Sequence, residues 1–182
     1  MTKTGVHVAL LRGINVGGKH SVPMKPLAEM FTEAGCRDVR THIQSGNVVF
    51  AASATLARTL PARIAAGIEE RWGFAAPVQT RSVADLRAVV RANPFLARGD
   101  DPGTLAVLFL ADAPGAKKLA ALDPQRSPGD AFAARAREIY LACPNGMART
   151  KLTNAWFDAQ LATVGTFRNW RTTLALLEIA EG

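Results

Sequence analysis

The stretch "VRTHIQSGNVVFA", Val39 to Ala51, decides how its surroundings are read. Val39, Thr41 and Ile43 alternate with Arg40, His42 and Gln44, "SGN" (Ser45 to Asn47) supplies a tight turn, and "NVVFA" runs back from Asn47 to Ala51. Two strands joined by so short a turn run antiparallel, because a parallel pair needs a crossover of a dozen residues or more. Upstream, Val6 to Leu11 reads as a strand. Met24 to Ala34 reads as a helix, since Leu27, Met30, Phe31 and Ala34 keep one helical face and Gly35 closes it. Downstream, Leu60, Ile64, Ile68 and Trp72 mark a second helix interrupted near its start by Pro61, and Ala76 to Arg81 makes a fourth strand. The order βαββαβ is the split βαβ, or ferredoxin-like, unit.

The second half follows the same order in weaker form. A helix over Ser82 to Arg91 and the loop "ANPFLARGDDPG" lead to a strand at Leu105 to Leu110, then a short helix around Ala116 to Leu122. A hairpin of Ala131 to Ala136 with Ile139 to Cys143 comes next, and two terminal helices span Thr150 to Leu161 and Thr166 to Ala180. The expectation is therefore an α+β chain of tandem ferredoxin-like repeats with antiparallel sheets and two C-terminal helices. Repeat 1 takes residues 1–81, and a linker helix with a diverged repeat 2 takes 82–182.

Composition excludes several classes. A chain of 182 residues, 48% hydrophobic and 20% charged, buries a core without staples. No apolar run approaches the length of a membrane span. The N-terminal "MTKTGVHVALLRG" is too short in its apolar part for a signal peptide, so a cytoplasmic protein is expected. Cys36 and Cys143 form no C-x-x-C pair, and His7, His20 and His42 lack metal-ligand spacing, so no metal and no cofactor are expected. Net charge is +7, and residues 1–81 carry ten basic against five acidic side chains. Such a balance favours anionic partners.

Within that basic half lies "LRGINVGGKHSVPM", Leu11 to Met24, in which Gly13, Gly18 and Lys19 nearly spell the phosphate-cradling P-loop. Two features rule that reading out. His20 stands where a magnesium-binding hydroxyl is needed, and Pro23 and Pro26 delay the helix start well past Lys19. The antiparallel hairpin excludes the parallel sheet of a P-loop enzyme as well. Two readings of the glycines stay open: a tight turn that needs their positive φ, or an anion-binding loop with Arg12, Asn15, Gly17, Gly18 and Lys19 as donors.

Taken together, "LLRGINVGGK", Pro23-Met24, "QSGNVVF", "NPF" (Asn93 to Phe95), "TKLT" (Thr150 to Thr153) and "T-x-RNW" (Thr166 to Trp170) resemble, in order and across nearly the whole chain, a bacterial family called domain of unknown function 1697. The resemblance implies an α+β cytoplasmic protein with ferredoxin-like repeats and no established activity. It differs from the family pattern at His42, where Tyr is usual, at Thr150, where Ser is usual, and at Arg171, where Asn is usual.

At the C-terminal motif, Thr166 reads as an N-cap, with Phe167, Trp170, Leu174 and Leu177 as one apolar stripe. Arg168 and Asn169 then flank exposed first-turn amides, and Lys151 begins the preceding helix. Candidate ligand-binding residues are thus Arg12, Asn15, Gly17, Gly18, Lys19, Gln44, Ser45, Asn47, Lys151, Arg168 and Asn169. The function expected is binding of a phosphate-containing metabolite or nucleotide in a basic cleft. One alternative is an enzyme of unrecognised type, with His20 or His42 as acid or base, Ser45 as nucleophile, and Lys19 or Arg168 as clamp. Another is an RNA-binding module, which 7% aromatics and the absence of an RNA-binding strand pattern disfavour, or a protein-interaction module whose sheet face pairs with itself. Neither a catalytic residue nor an oligomeric state can be read.

Overall fold

The computed structural model describes residues 4–182, and the hairpin between β2 (Arg37–His42) and β3 (Asn47–Ser53) is antiparallel. β3 also pairs antiparallel with β1 (Thr4–Leu11), which pairs on its other side, again antiparallel, with β4 (Val78–Ser82). The sheet order is β2-β3-β1-β4. α1 (Met24–Glu33) and α2 (Ala54–Trp72) share one face, where Ala9, Leu11, Val48 and Phe50 of the sheet join one core with Leu27 and Phe31 of α1 and Leu60, Ile64 and Ile68 of α2. Burying such side chains contributes about 1.5–3 kcal/mol each, which is why the apolar spacing decides where the helices lie. α2 runs unbroken through Pro61, capped by Ser53, whose hydroxyl accepts from Leu56 N at 3.2 Å, and closed by Gly73 at φ +77°.

The second sheet repeats this plan. The chain runs β5 (Leu105–Leu110), α5 (Ala116–Ala120), β6 (Ala131–Arg135), β7 (Glu138–Ala142), α6 (Asn154–Leu161) and β8 (Gly165–Asn169), and these four strands form an antiparallel sheet ordered β6-β7-β5-β8. Leu108, Leu110, Ile139 and Leu141 share a core with Phe157 and Leu161. α3 (Val83–Arg91) and α4 (Pro94–Arg98) lie between the repeats in sequence, and α7 (Trp170–Glu181) closes the chain. The chain divides into a first unit, running through Arg87 and including Ala175–Gly182, and a second unit, Ala88–Leu174. Within the first, Arg87 pairs with Glu181 at 2.7 Å.

Two expected boundaries are corrected. The terminal helix expected from Thr166 begins instead at Trp170, because residues 165–169 form β8 against β5. Gly165 permits that pairing: a Cβ there would lie 2.6 Å from Leu108 Cδ1. The helix expected from Thr150 starts at Asn154, with Thr153 as its N-cap. With β8 in place, both repeats are complete βαββαβ units.

The duplication reaches individual hydrogen bonds. Where β1 ends, Leu11 N–H donates to Gly46 O and Arg12 N–H to Pro77 O; where β5 ends, Leu110 N–H donates to Arg137 O and Ala111 N–H to Val164 O. Arg81 stands opposite Val8 as Arg168 stands opposite Val107, and both arginines are buried. What differs is the connection that follows. Repeat 2 passes from β5 to α5 through residues 111–115, whereas repeat 1 uses 12–23 between β1 and α1.

Among the described residues no helix is long and apolar enough to cross a membrane. Cys36 and Cys143 are free and buried, and burial pushes each thiol up to about 11. His7, stacked on Phe50 with ring centroids 5.6 Å apart, has its pKa lowered by burial, against opposing effects from the Ala52 backbone and Asp85. The unfolded chain therefore takes up the His7 proton more readily than the folded one. Stability attributable to His7 is full above its ordinary value of 6.5 and is lost as pH falls below it. Melting midpoints are expected to drop between pH 7.5 and 5.5 by more in the wild type than in His7→Gln, whereas parallel curves would contradict this account of the ring.

Candidate functional site

The residues after β1 fold into a small hairpin of their own. Lys19 N–H donates to Val16 O at 3.1 Å and Asn15 N–H to His20 O at 3.0 Å, which closes the turn Val16-Gly17-Gly18-Lys19. Gly17 and Gly18 have φ +59° and +72°, the paired left-handed values that a tight hairpin turn of the I′ kind demands at both central positions. The glycines thus serve turn geometry. α1 begins only at Met24, behind Pro23 as N-cap, so no helix N-terminus meets this turn.

Asn15 holds the hairpin in place. Its Nδ2 donates to Val22 O at 2.9 Å and to Gln44 O at 2.8 Å, while its Oδ1 accepts from Val22 N at 2.8 Å. Ile14 and Val22, on either side of the hairpin, are buried in the first core. A single carboxamide therefore ties loop 12–22 to itself and to the turn after β2. His20 fixes a third side: its ring stacks on Phe74 at 4.3 Å, and its Nδ1–H donates to Gly13 O at 3.1 Å. Arg12 N–H, bonded to Pro77 O at 2.9 Å, holds the same neighbouring segment.

The "QSGN" turn is also held from within. Asn47 is buried, and its Nδ2 donates to His42 O at 3.1 Å and Ser45 Oγ at 2.9 Å. Gly46, at φ +79°, lies against β1 so closely that a Cβ would sit 2.7 Å from Leu11 Cβ. Gln44 is exposed and offers its carbonyl to Asn15. Three non-glycine residues here take the left-handed region: Asn15, His20 and Ile43, at φ +55°, +53° and +50°. For β-branched Ile43, strain of this kind costs on the order of 1–3 kcal/mol.

Of the expected ligand residues, Arg12, Asn15, Gly17, Gly18, Lys19, Gln44, Ser45 and Asn47 all fall on these two loops of the first unit. Their accessibility differs. Lys19 is exposed and its amino group makes no ion pair among the described residues, whereas the side chains of Asn15 and Asn47 are committed to backbone and turn.

The other three belong to the second unit. Lys151 is exposed and precedes α6 rather than beginning it; its N–H donates to Ser127 Oγ at 3.0 Å, and Ser127 donates to Asp130 Oδ2 at 2.6 Å. Thr150 Oγ1 accepts from Leu152 N at 3.1 Å, so the "TKLT" motif chiefly organises its own loop. Arg168 does not flank a helix start. It lies inside β8, 7% exposed, with Nη1 donating to Thr166 Oγ1 at 3.0 Å and Phe167 O at 2.7 Å, and burial pushes its guanidinium down to about 10. The cap of α7 is Asn169, whose Oδ1 accepts from Thr172 N at 2.7 Å.

Sequence reasoning missed Phe74, Ile43 and Arg81. Arg81 could have been found by aligning "TRS" at the end of β4 with "FRN" at the end of β8, each followed by a capped helix. Ile43 carries no such signal, since it reads as one more residue of an alternating strand.

Comparison with known proteins places the chain in a family. A family model described as a protein of unknown function (DUF1697) matches residues 4–140, and the chain belongs to that family. No curated protein matches its sequence. A conserved bacterial protein from Streptococcus pneumoniae has a similar solved structure, with a TM-score of 0.74 at 20% identity over 98% of this chain and 99% of that one. At that identity the likeness concerns the fold.

Three substitutions test the loop account. Asn15→Ala removes three hydrogen bonds and should cost about 2–3 kcal/mol in urea denaturation, each net bond contributing roughly 1 kcal/mol. Gly46→Ala combines a forbidden φ with overpacking and should cost about 3 kcal/mol, against about 1 kcal/mol for Gly17→Ala, where a Cβ meets open space. Equal losses at the two glycines would contradict the packing described.

Proposed function

We propose that this member of a family of unknown function binds a phosphate-containing anionic small molecule on loops 12–22 and 43–46 of its first unit. The observation that carries the reading is Lys19: an exposed ammonium on a turn held by Gly17, Gly18 and the Asn15 bridge. A cation presented on a pre-organised backbone attracts an anion without the ordering cost that a mobile loop would impose. The duplication supports the same location. Repeat 2 shows that five residues, 111–115, suffice to leave the central strand, so the longer connection 12–23 exceeds what the fold requires. The excess of basic over acidic side chains in residues 1–81 adds a favourable long-range field.

The chain's place of action under this reading is the cytoplasm. Free, buried Cys36 and Cys143 suit a reducing compartment. A thermal-shift series with inorganic phosphate, ribose 5-phosphate and AMP tests the proposal. A ligand present at a hundred times its Kd stabilises the fold by about 2.7 kcal/mol, which should raise the midpoint by several degrees and should vanish in Lys19→Ala. No shift with any of the three, or equal shifts in wild type and Lys19→Ala, would contradict the reading. An RNA ligand would instead reveal itself by affinity that falls steeply with salt.

A further inference from the structure

The described residues expose four large apolar side chains, and the two in the first unit, Val16 at 65% and Ile43 at 53%, both belong to the paired loops. Each is the chain neighbour of one partner in the 2.8 Å bond between Asn15 Nδ2 and Gln44 O, so the bridge that fixes the loops also fixes these residues near one another. Neither belongs to the core: both face solvent, and Ile43 sits at φ +50°, where Asn or Gly would be accommodated more easily. A strained, exposed aliphatic side chain is paid for by something other than the core. Across the hairpin from Asn15, His20, also exposed, presents an imidazole backed by Phe74 and oriented by Gly13 O.

Resting on the anion reading above, we infer that the ligand carries a planar, weakly polar ring next to its phosphate, as a purine nucleoside monophosphate does. The phosphate is drawn to Lys19, and the ring covers the Val16 and Ile43 side chains and can stack on the His20 imidazole. Charge complementarity selects a small phosphorylated ligand over a protein partner, because the exposed apolar surface is two side chains wide and has a cation within the same turn. A bare phosphosugar satisfies Lys19 alone.

Calorimetric titration with AMP and with ribose 5-phosphate separates this inference from the reading beneath it. Wild type should bind AMP about tenfold more tightly than ribose 5-phosphate, the increment expected from covering one branched aliphatic side chain. Ile43→Asn should remove most of the AMP preference and leave ribose 5-phosphate affinity unchanged, with a melting midpoint equal to or above that of wild type. Equal affinities for the two ligands in wild type, or an Ile43→Asn variant that keeps the preference, would overturn the ring-binding inference while leaving the anion reading in place. Failure of both ligands to bind would overturn both.

Discussion

The molecule depends on one topological constraint: in each repeat the first strand lies between two neighbours and runs antiparallel to both. β1 pairs with β3 and β4, so the end at which β1 leaves the sheet is the end at which β3 and β4 enter it. Leu11 N–H and Arg12 N–H, successive along the chain, donate to Gly46 O and Pro77 O on opposite sides. Three connections therefore meet by necessity at one end of the first unit. Asn15 then converts that proximity into a fixed surface by spending its whole carboxamide on Val22 and Gln44.

The second repeat serves as an internal control. Leu110 and Ala111 make the same pair of bonds, yet the chain turns directly into α5 through 111–115 with no hairpin, no glycine pair and no exposed lysine turn. The framework is shared and the elaboration is not. What distinguishes repeat 1 is a loop longer than connection requires, tied by side chains and strained at Asn15 and His20; the left-handed residue after the second strand is shared, Ile43 in repeat 1 and Ala136 in repeat 2. Strain of that kind persists only where surroundings over-determine it.

Much of this was legible in the residues. Val39 to Ala51 encoded an antiparallel hairpin in its alternation and turn, and Pro23 and Pro26 placed the helix too late for a P-loop. The C-terminal region was harder because two periodicities overlap there. Phe167, Trp170, Leu174 and Leu177 keep helical spacing, but pairing with β5 across Leu108 and Val107 outweighs local preference and draws Gly165–Asn169 into a strand. Arg168 moved with it, from an expected helix surface to a buried position. Near Lys19 the motifs picked out residues that fall on two adjoining loops, but not the different parts those residues play in the loops. Only the three-dimensional hydrogen bonds separate Asn15 and Asn47, which hold the loops, from Lys19, which is presented by them.

The central claim, that this end of the first unit is a preformed anion-binding surface, is tested most directly by amide chemical shifts of isotope-labelled protein titrated with AMP. Changes that saturate and that concentrate on Arg12 to Ser21 and Ile43 to Ser45, without loss of signals elsewhere, are the predicted result. Saturation with the largest changes on residues outside these loops, or no saturable change at all, would contradict it.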